Sequence, residues 1–136
     1  MIREANKKDY PELCAMAKQD KFVRDFPAIS YRWGWEGKVF LAEEKGEIAG
    51  FYYANICKRI DRATLYEIYV APRHRNKGVG KKLFEHYLVR TINAGKNNLR
   101  WLVNKKNLGA SQFYGKMGFQ PSKEKQKEYL YEEKIH

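Results

Sequence analysis

The residues best suited to chemistry lie between positions 73 and 82: Arg73, His74, Arg75, Asn76, Lys77, Gly78, Val79, Gly80, Lys81 and Lys82. They precede apolar residues at Val79, Leu83, Phe84, Tyr87 and Leu88, a helical spacing with one stripe facing a core. A helix that opens on glycines leaves its first N–H groups unpaired and directed forward, and glycine lets a ligand approach that backbone closely. The positive end of the helix dipole and the neighbouring cations favour an anion. The chemistry expected of residues 75–81 is therefore a grip on a phosphate or pyrophosphate. Two common phosphate patterns fail. A P-loop needs wider spacing and a hydroxyl after Gly-Lys, where Lys82 stands; the dinucleotide fingerprint needs a third glycine, where Leu83 stands.

Few other groups invite a chemical role. Glu67 is the only carboxylate on the strand leading into the basic loop, and reads either as an exposed or ion-paired strand residue or as a general base. Asp25, Glu36 and the phenol of Tyr53 are weaker candidates. His74 lies in the loop itself and His86 on the helix after it, so neither is well placed as a base. Asn107 reads as a helix N-cap, and Tyr114 as a core aromatic or as a neutral phenol able to donate a proton. Cys14 and Cys57 fall in no metal-type spacing, so no metal is expected.

Positioning these groups requires a series of elements. Residues 64–70 are β-branched and aromatic, which suits a strand that Pro72 ends. The helix from Val79 runs to about Arg90. Upstream, a short strand is expected at 2–5 and a helix from an Asp9 cap to about Gln19. Strands follow at 39–43 and 48–56, joined by a turn at 44–47, with Phe51, Tyr53 and Asn55 on one face and Tyr52 and Ala54 on the other. Downstream come a strand at 99–103, a short helix from the Asn107 cap to a Gly118 stop, and a strand hairpin over 119–135. Residues 21–37 carry Phe22, Phe26, Tyr31, Trp33 and Trp35 among charges, with a short helix expected after Pro27. Core packing is the default reading there; nucleobase stacking flanked by cations is another. The element order is that of a mixed α/β sheet.

With 136 residues the chain is expected to form one domain with its own core. It is 43% hydrophobic and 15% aromatic, which excludes a disordered chain. It has no apolar run long enough for a membrane helix or signal peptide, and with two cysteines it reads as reduced and cytoplasmic. The net charge of +11 and pI near 9.6 favour polyanionic partners: coenzyme A, nucleic acid or an acidic surface.

The run Arg75-Asn76-Lys77-Gly78-Val79-Gly80, straight after a strand ending Tyr-Val-Ala-Pro, resembles the Arg/Gln-x-x-Gly-x-Gly/Ala signature of the GCN5-related N-acetyltransferase (GNAT) superfamily. A second signature is similar to Asn107-x-x-Ala110-x-x-Phe113-Tyr114-x-x-x-Gly118-Phe119, and the two occur in the family's order. The resemblance implies an α/β (α+β) fold with a mixed, mostly antiparallel sheet of six to seven strands, a splay between the central strands, and about four helices. It implies acetyl-CoA as acetyl donor and direct transfer to a primary amine. By that resemblance Arg75, Asn76, Lys77, Gly78, Val79, Gly80 and Lys81 would hold the pyrophosphate, with Arg73 and Lys82 adding charge. Ile68, Tyr69 and Val70 would pair with the pantetheine arm, and one of their N–H groups would polarise the thioester carbonyl. Asn107 would hydrogen-bond the arm, Tyr114 would protonate the departing thiolate, and residues 21–37 would line the acceptor side. Family members often place an acid on the central strand, which makes Glu67 the candidate base, although Tyr66 stands where some relatives have it. Homodimers are common in the family.

The acceptor amine is not identified by any motif. Two alternatives remain open: a module of this fold that binds coenzyme A or nucleic acid without turnover, and an acetyltransferase whose acceptor is carried on tRNA or a ribosomal protein.

Overall fold

A computed structural model describes residues 1–20 and 37–135. Among the described residues seven strands form one sheet in the order β1-β2-β3-β4-β5-β7-β6. They are β1 (Ile2–Glu4), β2 (Gly37–Glu44), β3 (Glu47–Ile56), β4 (Ala63–Val70), β5 (Asn98–Asn104), β6 (Lys123–Glu124) and β7 (Glu128–Lys134). The helices among the described residues are α1 (Tyr10–Ala17), α2 (Val79–Asn93) and α3 (Leu108–Lys116), with a 3-10 turn at Pro72–His74. Every strand pair is antiparallel except β4 with β5. The expected sheet is thus present. The helix expected after Pro27, and the aromatics at 22, 26, 31, 33 and 35, lie outside the described residues, as do Asp25 and Glu36.

Local sequence accounts for most boundaries. Lys45 (φ 52°) and Gly46 (φ 79°) make the two-residue left-handed turn that suits the twist of a β2–β3 hairpin. Gly118 (φ 91°) stops α3, and the Phe119 amide donates back to the Tyr114 carbonyl at 3.0 Å. Two expectations need correction. α1 ends at Ala17, short of Gln19, and Asp9 does not cap it with its side chain. The Asp9 carboxylate instead accepts two bonds from the Arg3 guanidinium, at 2.8 and 2.9 Å, while Arg3 also pairs with Glu43. The same carboxylate also accepts from the Asn6 amide at 2.8 Å, so its oxygens are held by Arg3 and the preceding turn and not by the first turn of α1.

The sheet separates two cores. On one face α2 and α3 cover Tyr52, Ala54, Leu65, Leu99, Trp101, Val103 and Tyr131; on the other α1 packs on Val39, Leu41, Phe51, Tyr53 and Tyr69. The alternation expected in β3 is therefore observed. Trp101 stacks on Tyr131 with centroids 5.3 Å apart and meets Phe84 edge-on at 5.1 Å, pairs that contribute about 0.5–1.5 kcal/mol each beyond burial. Gly50 is required where β3 meets β4, since a Cβ there would lie 2.4 Å from the Tyr69 carbonyl oxygen.

Candidate active site

The site begins where the sheet comes apart. β4 and β5 pair at Ala63–Leu99, Thr64–Arg100 and Leu65–Trp101, and among the described residues no further pair between them follows. Beyond Leu65 the strands diverge towards their C-terminal ends. A bulge sits at the same point: Tyr53 faces Glu67 and Ala54 faces Leu65, so Tyr66 is an extra residue on β4. A bulge bends the strand that carries it and ends pairing locally, which accounts for the divergence at this rung. Tyr66 turns to the α1 face and meets the Tyr53 ring edge-on at 5.5 Å, while Tyr53 itself is buried in that core.

Register decides which backbone groups face the gap. The Ala71 amide donates to the Ala49 carbonyl at 2.8 Å, so Gly50–Val70 is a pair whose own N–H and C=O groups point away from each other. By alternation Ile68 and Val70 turn their backbone groups to the opening, and Tyr69 turns its groups to β3. The three residues expected to line the arm are thus two with accessible amides and one, Tyr69, whose amide belongs to the sheet. The Val70 carbonyl is already engaged by Arg75 Nε at 2.9 Å.

The basic loop continues from this edge. Asn76 (φ 62°) and Gly78 (φ 84°) are both left-handed, a backbone form that turns successive N–H groups into a concave anion site. The first bond into α2 is Lys82 N–H to Gly78 C=O at 3.1 Å, and among the described residues no carbonyl accepts from the amides of Asn76, Lys77, Gly78, Val79, Gly80 or Lys81. The side chains divide unexpectedly. Arg73 pairs with Glu47, and Arg75 lies over the Tyr69 ring at 5.7 Å, so both are tied down. Lys77, Lys81 and Lys82 are exposed. His74 lies 3.8 Å from Glu47, and His86 contacts the Tyr52 hydroxyl at 2.8 Å beside Arg90; both stay away from the gap, as expected.

α3 supplies the opposite wall. Asn107 Oδ1 accepts from the Ala110 amide at 3.1 Å, so the predicted cap is present and the side-chain NH2 remains a donor. Tyr114 is buried beside Trp101, the last paired rung, with Phe84, Phe113 and Tyr131 around it at 5.1–5.7 Å. Burial, and next the negative charge of Glu67, push the Tyr114 phenol well above its ordinary value. The charge of Glu67 is thus felt at Tyr114, although 47 positions separate them in the chain, while in the sheet Glu67 lies opposite Tyr53.

One feature had no sequence signal of its own. A groove of about 500 Å³ runs between α2 and α3, with Phe84, Phe113, Met117 and Phe119 along it and Lys81 and Lys116 at its edges. It reaches the loop at Gly80, where an added Cβ would come within 3.0 Å of the Phe113 ring. Gly80 thus permits two helices to meet as well as a ligand to approach.

The family model described as "Acetyltransferase (GNAT) family" matches residues 1–119. The chain belongs to the GNAT acetyltransferase family. It is 35% identical over 126 residues to a "5-NmdU N-acetyltransferase" of Pseudomonas phage PaMx11, covering 88% of this chain and 86% of that protein. Its fold is similar to that of PaiA N-acetyltransferase from Thermoplasma acidophilum in complex with coenzyme A, with TM-score 0.83, 18% identity, and 99% and 98% of the two chains covered. It is also similar to the ribosomal-protein-S18-alanine N-acetyltransferase from Escherichia coli, with TM-score 0.82, 21% identity, and 99% and 93% covered. This GNAT enzyme is an acetyl-CoA-dependent N-acetyltransferase that passes an acetyl group to an amine. The chain's groups fit that donor: a concave row of amides for a diphosphate with exposed Lys77, Lys81 and Lys82 beside it, and an unpaired strand edge for an amide-bearing arm. Among the described residues no group of side chains could hold a metal ion, and no helix is long and apolar enough to cross a membrane.

Proposed function

We propose that the enzyme acetylates a primary amine carried on a nucleobase, with the transfer taking place in the gap between β4 and β5. The observation that carries the site is the end of parallel pairing after three rungs. It leaves the Ile68 and Val70 amides beside the unpaired amides of residues 76–81. Those amides bind the diphosphate of the donor, with Lys77, Lys81 and Lys82 supplying charge. The groove between α2 and α3 takes the adenosine end, its rings against the base and Lys81 or Lys116 near the remaining phosphate. Ile68 and Val70 hold the arm, and one of their N–H groups donates to the thioester oxygen as charge develops there. Asn107 donates to the arm through the NH2 that its cap leaves free.

Tyr114 is the proton donor to the leaving sulfur. Its burial keeps the phenol neutral, and a thiolate formed in the same dry surroundings is also raised in pKa, which narrows the gap between donor and acceptor. Glu67 is the base that takes the amine proton, directly or through water. Both reactants held side by side lower the entropic part of the barrier.

Two observations support the acceptor class. The phage relative's name specifies 5-NmdU, and a net charge of +11 suits a phosphate-bearing acceptor better than a cationic one. A cytoplasmic setting suits the two free cysteines. The test follows thiol release from acetyl-CoA with 5-aminomethyl-2′-deoxyuridine, spermidine, an aminoglycoside and a lysine peptide as acceptors. The reading expects the nucleoside amine to be preferred at least tenfold in kcat/KM. Equal or better use of any other amine overturns it.

A further inference from the structure

We infer that a cluster of lysines at the mouth of the gap binds the phosphate backbone of a polynucleotide, so that the acceptor amine is presented on a strand. The inference rests on the nucleobase-amine reading and deepens it. β4 and β5 part towards their C-terminal ends, and two loops meet at that end. Asn104 lies opposite Glu128, the Lys105 amide donates to the Lys127 carbonyl at 3.0 Å, and the Lys125 amide donates to the Glu128 carbonyl at 2.8 Å. This joins the β5–α3 loop to the β6–β7 turn. Lys105, Lys106, Lys123, Lys125 and Lys127 all fall in this corner, against Glu124 and Glu128.

Among the described residues only Lys105 of these is committed, to Glu124 at 2.6 Å and over the Tyr129 ring at 5.4 Å. Lys106, Lys125 and Lys127 are exposed, and among the described residues none of the three makes an ion pair. The donor does not account for them either, because its phosphates belong to the amides of residues 76–81 and to the lysines of α2 and α3.

Such a corner selects among amines. Polyamines, aminoglycosides and lysine-rich peptides approach as cations, and like charges at the mouth oppose them. An amine on a phosphodiester strand arrives with a negative charge at every nucleotide, which outweighs its own positive one. Three lysines on three phosphates would release their condensed counterions and set a salt dependence.

The experiment uses a 20-nucleotide DNA single strand bearing one 5-aminomethyl-uracil, the corresponding free nucleoside, and fluorescence anisotropy across a salt series. The triple variant Lys106→Gln, Lys125→Gln, Lys127→Gln should lower the slope of log affinity against log salt by about 2 relative to the wild type. That corresponds to about a hundredfold weaker binding at 0.1 M salt. KM for the strand should rise in step, while kcat/KM for the free nucleoside changes less than twofold. A control triple, Lys7→Gln, Lys8→Gln, Lys18→Gln, removes the same charge from the far side of the sheet and should leave the slope within about 0.5 of wild type. An unchanged slope in the first triple, or an equal fall in both, overturns the lysine corner while the nucleobase-amine reading stands. So does wild-type enzyme that uses the free nucleoside as well as the strand. If neither is acetylated but a simple alkylamine is, both readings fall.

Discussion

Replacing Tyr114 by Phe separates chemistry from architecture more cleanly than any other single change. The ring contributes packing on four sides: Phe84 at 5.7 Å, Trp101 at 5.1 Å, Phe113 at 5.1 Å and Tyr131 at 5.4 Å. Phe keeps all four contacts and removes one oxygen. The stability change should therefore stay within about 1.5 kcal/mol, the net worth of one buried hydrogen-bonding group. The donor site is built from backbone amides at 68, 70 and 76–81, which the change does not touch, so acetyl-CoA affinity should move less than twofold. Loss of a positioned proton donor, by contrast, costs about 10²–10⁴ in rate, or roughly 2.7–5.4 kcal/mol of barrier. The assay pairs thermal unfolding and acetyl-CoA titration with thiol release under saturating donor. Turnover in Tyr114→Phe within threefold of wild type would refute the assignment, provided Tm and donor affinity are unchanged. The pH profile adds a second check. The phenol is pushed well above its ordinary value by burial and by Glu67, so wild-type activity should show no alkaline loss attributable to it up to about pH 10.

Three further outcomes follow from local geometry. Gly80→Ala gains up to about 1 kcal/mol of helix propensity but puts a Cβ 3.0 Å from Phe113; these should offset in Tm, while displacement of the Phe113 ring weakens acetyl-CoA binding about tenfold by calorimetry. Asn107→Ala removes the bond to the Ala110 amide and should cost about 1 kcal/mol of stability, with a higher KM for acetyl-CoA that Asn107→Asp, which keeps the cap but not the NH2, fails to restore. Asp9 is held below its ordinary value of 3.8, chiefly by its bonds to Arg3. Its folded pKa is depressed, so the stabilisation is complete above about 3.8 and lost as pH falls through the lower folded value. Asp9→Asn should therefore lower Tm at pH 7, and the difference from wild type should shrink in melts recorded progressively below pH 4.

What the amino-acid sequence determined by itself were the features that short-range physics controls. The glycine-opened start of α2, the Asn107 cap, the Gly118 stop and the Lys45–Gly46 turn each depend on a few neighbouring dihedrals and one or two bonds. Side-chain alternation in β3 follows from a period of two, and two spaced signatures were enough to place the chain in its family. Tertiary structure decided the rest. The bulge at Tyr66 and the end of the β4–β5 ladder at Leu65–Trp101 depend on register between strands far apart in the chain, which no local pattern encodes. Competition settled the charges: Asp9 went to Arg3, Arg73 to Glu47 and Arg75 to the Val70 carbonyl, leaving the lysines exposed. The influence of the Glu67 charge on Tyr114, and the meeting of the β5–α3 loop with the β6–β7 turn, exist only once the sheet is assembled. The reason in each case is that a partner chosen across the fold is decided by which groups arrive together, and sequence order does not contain that distance.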